Sequence, residues 1–296
     1  MFPADFAYAR AGSLAEALSL LDAAAAADED AKLLAGGQSL LPLMKLRLAT
    51  PQALIDIGGI AELAGVTSGA TGTTVGAVTT YRALERDRRV SAAFPALADA
   101  LAVLADQQVR ARGTIGGCVA HGDPAADLPA VLLALDAQVT LASRHGTRTV
   151  PLDDFLRDVF TTDLAAGEIL TAITLPPAPP AGAGSGSGSA YEKFAQPASH
   201  LPLAGVCAAV TLTEGVVTSA AVAVTGVAAR AFRAFDTERS RASAPPLPAV
   251  IESAAAQVAT GVRPLADQHA SGPFRLHLAQ VLTRRALTRA VDRAAA

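Results

Sequence analysis

The sequence predicts an α+β protein in three parts, and three observations lead to this prediction. Residues 1–57 alternate between helix-like and strand-like stretches, as a small βαβ unit does. Residues 58–176 combine short strands, turn signals and a strongly apolar helix. A stretch rich in proline, glycine and serine then precedes further strands and a final helix. We therefore expect a first domain over 1–176 with two subdomains, a linker over 177–189 and a C-terminal domain over 190–296.

The first part begins with a helix predicted over 13–27, where Ser13 is the expected N-cap and leucines recur at helical spacing. A short strand is predicted over 32–35, ending at a pair of glycines. A proline at the start of 42–48 suits the first turn of a second helix. The strand predicted over 54–57 completes a unit that is compatible with a βαβ arrangement.

The remaining elements are predicted from apolar periodicity and from turn residues. One is a strongly apolar helix over 94–108, which precedes a second pair of glycines. The final helix is predicted over 273–290, and its arginines are expected on a solvated face, with a partner surface as the alternative. Strands are predicted over 73–78, 138–142, 148–150, 169–175, 206–213 and 216–224.

Composition excludes several classes of function. The 296 residues suffice for two or three domains with cores of their own. The net charge of −3 argues against a nucleic-acid partner, because duplex-binding proteins usually carry a basic excess. No apolar run reaches the roughly 18 residues that a membrane-spanning helix needs, and the N-terminus lacks the regions of a signal peptide. We expect a cytoplasmic protein.

The two cysteines, Cys118 and Cys207, fit neither a zinc pattern nor a disulfide framework. An iron–sulfur cluster takes about four cysteines, so this chain cannot hold one alone. Cys118 adjoins a pair of glycines, where a redox role is one interpretation. A small thiol that fills space is the commoner one.

Two pairs of glycines, 36–37 and 116–117, are the most informative feature of the chain. Glycine lets backbone N–H groups approach an anion closely. Neither pair belongs to a P-loop or to a Gly-x-Gly-x-x-Gly pattern, and a lone Gly-Gly turn is more often only a turn. The side chains of Gln38, Ser39 and Thr114 add donors. Two such loops favour a ligand with two phosphates, such as a dinucleotide, and a branched side chain in either pair is expected to block its approach.

His121, Asp123 and Asp127 follow the second pair closely and allow three interpretations. They are metal binding, a solvated loop with a helix-capping aspartate, which is the commoner case, and a carboxylate that bonds a ligand hydroxyl. Lys193 taken alone would be a surface lysine. No Ser-His-Asp or Cys-His nucleophile set is evident, so we predict no catalytic residue and no metal site.

At these residues the chain resembles the FAD-binding medium subunits of molybdenum hydroxylases, as in aerobic carbon monoxide dehydrogenase and the wider xanthine dehydrogenase family. Many members have histidine in place of Gln38 and asparagine in place of Cys118, and both replacements leave the backbone of the loops intact. The segments that carry the resemblance are 35–42 (AGGQSLLP), 44–47 (MKLR), 112–117 (RGTIGG), 120–127 (AHGDPAAD), 191–194 (YEKF), 196–199 (QPAS), 223–227 (AVTGV) and 269–271 (HAS).

The resemblance implies a two-subdomain FAD-binding domain of the PCMH or vanillyl-alcohol-oxidase type, followed by a C-terminal domain with a three-stranded antiparallel sheet and helices. It implies that 33–40 and 114–118 hold the FAD pyrophosphate and neighbouring atoms. Asp127 would lie on the ribose or adenine side, and Leu170 and Lys193 nearer the flavin ring. The implied cofactor-binding residues are Leu33, Leu34, Ala35, Gly36, Gly37, Gln38, Ser39, Leu40, Leu104, Thr114, Ile115, Gly116, Gly117, Cys118, Asp127, Ile169, Leu170 and Lys193.

The resemblance also implies an electron-transfer role beside two other subunits. FAD would take electrons from [2Fe-2S] clusters in a small iron–sulfur subunit and pass them to an external acceptor, a quinone or NAD. Substrate would be oxidised in a large molybdopterin subunit, so carbon monoxide, a purine or an N-heterocycle remain open. A dimer of heterotrimers is expected, cytoplasmic or at the inner face of the membrane through partners.

Two alternatives compete with this interpretation. One is a stand-alone reductase of the UDP-N-acetylenolpyruvoylglucosamine reductase type, which shares the FAD-domain type and a similar first loop. The segments 123–127 and 191–199 argue against it. The other is a scaffold subunit that keeps the fold without flavin, against which the intact glycine pairs argue.

Overall fold

A computed structural model describes residues 2–177, 185–240 and 245–296, which form three units. The first unit is a three-stranded parallel sheet with the strand order β1-β3-β2. Its elements are β1 (Ala7–Arg10), α1 (Leu14–Ala26), β2 (Ala31–Leu34), α2 (Leu40–Lys45) and β3 (Ala53–Asp56).

The first unit agrees with the sequence prediction except at two places. Ser13 caps α1, since its hydroxyl accepts a hydrogen bond from the N–H of Glu16 at 3.2 Å. Strand β1 was not predicted, because its four residues are mostly exposed and lack apolar alternation. Helix α2 ends at Lys45 rather than at residue 48, because Arg47 takes a left-handed conformation (φ +59°) that a helix cannot continue.

The second unit is a five-stranded antiparallel sheet with helices packed against it, in the order β4-β5-β10-β6-β7. The strands are β4 (Val66–Gly69), β5 (Gly72–Gly76), β6 (Gln138–Ser143), β7 (Gly146–Pro151) and β10 (Ile169–Leu175), with the small hairpin of β8 (Leu156–Asp158) and β9 (Thr161–Thr162). The helices are α3 (Tyr81–Arg86), α4 (Arg88–Ala93), α5 (Pro95–Val103), α6 (Gln107–Arg112), α7 (Ile115–His121), α8 (Asp127–Ala134) and α9 (Leu152–Phe155).

The single helix predicted over 94–108 is wrong, because α5 and α6 are separate helices. Ala105 has φ +44°, which breaks the helix after Leu104. Asp106 then caps α6 by accepting a hydrogen bond from the N–H of Val109 at 2.8 Å. The break redirects the chain and delivers the end of α6 to the site described below.

The third unit is an antiparallel sheet in the order β11-β12-β13-β14, with a long C-terminal helix packed on it. Three long strands agree with the expectation, and β14 adds a two-residue fourth. Its strands are β11 (Ser185–Ala195), β12 (Pro202–Thr213), β13 (Val216–Thr225) and β14 (Phe232–Arg233), and its helices are α10 (Phe235–Arg239), α11 (Pro248–Ala256) and α12 (Gly272–Ala295).

The end of the predicted linker is strand rather than linker. β11 begins at Ser185, and its glycines let the backbone of α12 approach closely. A Cβ at Gly186 would lie 2.0 Å from the carbonyl oxygen of Ala294, and one at Gly188 would lie 2.1 Å from that of Ala290. The alternating glycines therefore serve helix–strand packing. The stretch 178–184 lies outside the described residues.

Asp99 of α5 ties the second unit to the third. Its carboxylate accepts hydrogen bonds from Arg289 and Arg293 of α12, both at 2.7 Å, and from the N–H of Tyr191 at 3.2 Å. The Asp99 side chain is 13% exposed, so these bonds are shielded from water. The arginines of α12 are thus not only a solvated face, contrary to the expectation.

Arg275 of α12 departs further from that expectation, because it is buried. Its guanidinium donates to the carbonyl groups of Leu203 and Gly226 at 2.7 and 2.6 Å, and to the carboxylate of Asp267 at 2.6 Å. Arg275 thereby fixes the loops at one end of the third sheet.

Within the described parts of the chain, no helix has both the length and the apolar character needed to cross a bilayer.

Asp99→Asn is expected to lower the free energy of unfolding by about 2 kcal/mol, because it leaves Arg293 without its acidic partner and Arg289 with Glu192 alone. Urea unfolding followed by circular dichroism measures the change. The matched control is Glu252→Gln, since Glu252 pairs with Arg284 on the same helix but is 63% exposed. That variant is expected to lose less than about 0.5 kcal/mol. Equal losses in the two variants would contradict the assigned role of Asp99.

Candidate functional site

Two loops meet at the boundary between the first and second units. The first glycine loop, residues 35–40, leaves the carboxyl end of β2. The second glycine loop, residues 112–118, comprises the end of α6, the two connecting residues and the first turn of α7. A Cβ placed on Gly36 would lie 2.2 Å from the carbonyl oxygen of Arg112 and 2.9 Å from the Cα of Gly113. Real side chains do not approach so closely, so only glycine permits this backbone contact.

The first glycine loop carries a run of unused backbone donors. The N–H groups of residues 36–40 bond no acceptor among the described residues. Gly37 adopts φ +71°, a conformation that favours glycine and turns the chain toward α2. Gln38 and Ser39 are exposed, whereas the glycines are half-buried. Consecutive free N–H groups in a partly enclosed turn form an anion-binding nest.

The second glycine loop is mostly tied into the fold. The hydroxyl of Thr114 caps α7 by accepting a hydrogen bond from the N–H of Gly117 at 3.2 Å. The N–H groups of Ile115 and Gly116 donate to the carbonyls of Thr79 and Ala77 at 3.1 and 2.9 Å. Among the residues described, the N–H of Thr114 bonds no acceptor. This loop therefore offers an exposed glycine and few free amides.

Gly116 has a different role from the expected one. A Cβ on it would lie 2.5 Å from the Cβ of Ala77 and 2.7 Å from its carbonyl oxygen. A larger residue would therefore disrupt packing against the end of β5 before it met any ligand. Gly117 is the glycine on the open side, since it is exposed and faces Ala35 across the two loops.

Asp127 and Lys193 form a buried ion pair between α8 and β11. The Nζ of Lys193 lies 3.0 and 3.1 Å from the two carboxylate oxygens, and the side chains are 5% and 3% exposed. Nζ also donates to the carbonyl of His200 at 2.7 Å. The hydroxyl of Tyr191 donates to Oδ1 of Asp127 at 2.8 Å. The resemblance placed Asp127 and Lys193 at different parts of the cofactor, whereas the structure brings their side chains into direct contact.

The charge of Asp127 depends on these partners. Burial raises the pKa of Asp127 above its ordinary value, while Lys193 and the Tyr191 hydrogen bond act in the opposite direction. Thr225 supports the start of α8, since its hydroxyl donates to the carbonyls of Pro124 and Ala126 at 2.9 and 2.7 Å. The pair is thus held from both domains.

Three further predicted site residues lie in the apolar core. Leu104, Ile169 and Leu170 are buried, with 6%, 0% and 4% of their surface exposed. Leu170 precedes an irregularity in the pairing of β10 with β6. Leu33 and Leu34 are half-buried at the end of β2. Contacts of these residues with a cofactor stay predictions.

Sequence reasoning missed three residues that build the site. Gly113 packs against the ring of Tyr81, and a Cβ there would lie 2.4 Å from the ring. Tyr191 stands two positions before Lys193 on β11 and so shares its face, but no strand was predicted there. Gly205 carried no signal, since its importance depends on the pairing of β12 with β11.

The loop 121–127 does not assemble a metal site. Asp123 accepts a hydrogen bond from the N–H of Ala125 at 2.8 Å, and Asp127 is engaged by Lys193. The ring of His121 lies against Phe160, with 5.0 Å between centroids. Within residues 2–177, 185–240 and 245–296, no group of three acidic, histidine or cysteine side chains is arranged to hold a metal ion.

Both thiols are expected to react slowly in the folded protein at mildly alkaline pH. Burial raises the pKa of Cys118 to about 12 and that of Cys207 well above its usual range, so the reactive thiolate is scarce. Titration with a chromogenic disulfide should detect two thiols only after denaturation, and one in denatured Cys118→Ser. Rapid modification of the folded chain that is lost in Cys118→Ser would show instead that Cys118 is reactive.

Known families match both parts of the chain. Residues 4–178 match the FAD binding domain in molybdopterin dehydrogenase, and residues 189–290 match the CO dehydrogenase flavoprotein C-terminal domain. The carbon monoxide dehydrogenase medium chain of Hydrogenophaga pseudoflava is 37% identical over 296 residues, which is 100% of each chain. The glyceraldehyde dehydrogenase medium chain of Sulfolobus acidocaldarius is 34% identical and covers 97% of this chain and 98% of its own.

The fold is also that of a solved relative. A carbon monoxide dehydrogenase structure from Hydrogenophaga pseudoflava, which lacks the Mo-pyranopterin moiety of the molybdenum cofactor, superimposes with a TM-score of 0.93. The two chains are 37% identical, and the match covers 99% of this chain and 100% of that one. The chain therefore belongs to the family of FAD-binding medium subunits of molybdenum hydroxylases.

Proposed function

We propose that this chain is the electron-transfer flavoprotein of a molybdenum hydroxylase, with its FAD held where the two glycine loops meet. The observation that carries the proposal is the free nest of N–H groups on residues 36–40, closed on one side by the second glycine loop. When bound, FAD supplies one- and two-electron chemistry. The chain supplies its binding and surroundings.

The donors of the first glycine loop suit a diphosphate. Five consecutive amides, the last of them at the start of α2, offer partial positive charge without a lysine or arginine. Gly117, which is exposed, lies near Ala35 on the opposite side of the gap. We assign the diphosphate bridge to this gap, with most of the hydrogen bonds coming from the first loop.

The buried pair of Asp127 and Lys193 is proposed to meet another part of the same cofactor. The pair joins both domains and is screened from water, so its charges act strongly on a polar neighbour. We assign hydrogen bonding to ribose or ring atoms to this pair, and apolar contact with the cofactor to Leu104 and Leu170.

The electrons are proposed to come from [2Fe-2S] clusters of a partner subunit. The chain has two cysteines, on separate units, and a cluster needs about four. Medium chains of carbon monoxide dehydrogenase and glyceraldehyde dehydrogenase are similarly related to this chain. Since those substrates share little chemistry, we assign substrate oxidation to a molybdopterin subunit.

The C-terminal match favours a complex of the carbon monoxide dehydrogenase type over a stand-alone reductase. We propose a dimer of heterotrimers that delivers electrons to a quinone or NAD, either free in the cytoplasm or at the inner face of the membrane.

Gly36→Ala is expected to reduce bound FAD by at least about tenfold, because its Cβ would collide with the carbonyl of Arg112 and part the loops. The visible spectrum of the purified chain, with FAD counted against protein, measures this loss. Gly69→Ala is the control, since a Cβ there meets nothing within 4 Å. Full FAD content in Gly36→Ala would refute the proposed location, and a colourless native chain would refute FAD binding itself.

In the assembled complex, Gly36→Ala is expected to abolish electron delivery to the acceptor while substrate still reduces the molybdenum centre. The physical reason is that the altered loop loses FAD, which is only the last electron carrier of the proposed chain. Rapid-mixing spectroscopy of the metal centres, beside steady-state assays of acceptor reduction, separates the two steps. Loss of molybdenum reduction in a complex that still assembles would contradict the division of labour between subunits.

A further inference from the structure

We propose that Tyr191 is a positioning residue of the flavin site. Its hydroxyl, in the space left by Gly205, fixes the Asp127–Lys193 pair. One N–H of Lys193 thereby remains available for FAD. This inference rests on the proposed function. It concerns a residue that makes no predicted contact with the cofactor and acts only through Asp127.

The geometry couples Tyr191 to the ion pair through a single strand face. Tyr191 and Lys193 are two residues apart on β11, so their side chains project to the same side. Both reach Asp127, the tyrosine through one hydrogen bond of 2.8 Å to Oδ1 and the lysine at 3.0 and 3.1 Å to both oxygens. Asp127 is therefore gripped from one strand of the C-terminal domain.

Gly205 explains how the tyrosine hydroxyl reaches this position. Gly205 pairs with Lys193 in the sheet, and a Cβ on it would lie 2.2 Å from the hydroxyl oxygen of Tyr191 and 3.0 Å from Cζ. Any side chain there would push the hydroxyl away from Asp127. The glycine is required by this space, since its backbone lies outside the left-handed region.

The number of N–H donors on Lys193 determines what the Tyr191 hydroxyl contributes. A lysine ammonium has three N–H groups. One bonds the carbonyl of His200, and one can be shared between the two oxygens of Asp127. Because the Tyr191 hydroxyl donates one hydrogen bond to Oδ1 of Asp127, the carboxylate does not need the third N–H of Lys193 as a further donor. Without the hydroxyl, both remaining N–H groups would be drawn to the carboxylate.

The ionisable groups around Asp127 give this arrangement a pH signature. They are Tyr191 and Lys193 on β11, Cys118 on α7 and Tyr81 on α3. Burial already raises the pKa of Asp127, and the hydroxyl lowers it. Removal of the hydroxyl therefore raises the pKa further, so that protonation breaks the ion pair at a higher pH than in the native chain.

The test compares FAD affinity of the full-length apo chain and of Tyr191→Phe, by titration of FAD fluorescence between about pH 5 and 8. Tyr191→Phe is expected to bind about tenfold more weakly near neutrality, as the loss of one hydrogen bond to a buried charge predicts. Its affinity should also fall more steeply than that of the native chain as the pH decreases.

Tyr8→Phe is the matched control, because the Tyr8 hydroxyl also donates to a carboxylate, that of Asp56 at 2.6 Å, but on an exposed strand. It should bind FAD as the native chain does. Gly205→Ala is the second variant and should weaken binding in the native background but much less in Tyr191→Phe, since the hydroxyl it displaces is then absent.

Two outcomes overturn the inference alone. In the first, Tyr191→Phe matches Tyr8→Phe in FAD affinity and in its pH profile. In the second, Tyr191→Phe binds FAD more weakly, but with no added pH dependence and with an effect that is additive with that of Gly205→Ala. The second outcome is what a purely structural role predicts. Failure of the native chain to bind FAD would overturn the proposed function, and this inference with it.

Discussion

The backbone contact between Gly36 and the Arg112–Gly113 peptide is the constraint on which the rest of the site depends. It brings a loop at the end of a parallel sheet against a loop between two helices of another unit. Neither loop encloses a ligand alone, because the free N–H groups lie on the first and the closing wall is the second. A change of about one carbon atom at this contact alters the gap between them.

The third unit completes the site through buried charge rather than through backbone. Asp127 and Lys193 join α8 to β11, and Asp99 binds Arg289 and Arg293 of α12. An ion pair removed from water is stable only while all its partners stay in place. In the proposed site, residues of all three units take part, and we expect the docking of the C-terminal domain to contribute to cofactor binding.

Local signals predicted most of the fold and failed where long-range contacts decide. The cap of α1 by Ser13 and the strand β10 follow from short patterns, and both were predicted. The Gly-Ser stretch looked like a linker, because composition cannot reveal that α12 packs against it. For the site, the sequence identified the glycine pairs, but it could not distinguish Gly116, which packs on Ala77, from Gly117, which faces the gap. That distinction depends on which neighbour approaches each glycine.

The two halves of the site should differ in their tolerance of sequence change. In the proposed site, the first glycine loop binds through main-chain N–H groups, so we expect a replacement at Gln38 to preserve the donors as long as the glycines keep the loop in shape. The Asp127–Lys193 pair works through side chains. These side chains and that of Tyr191 must form hydrogen bonds with one another in the space that Gly205 leaves open. A change of one partner therefore demands changes in the rest. Adjustments to flavin chemistry are accordingly expected among the neighbours of this pair, while the backbone grip on the diphosphate stays the same.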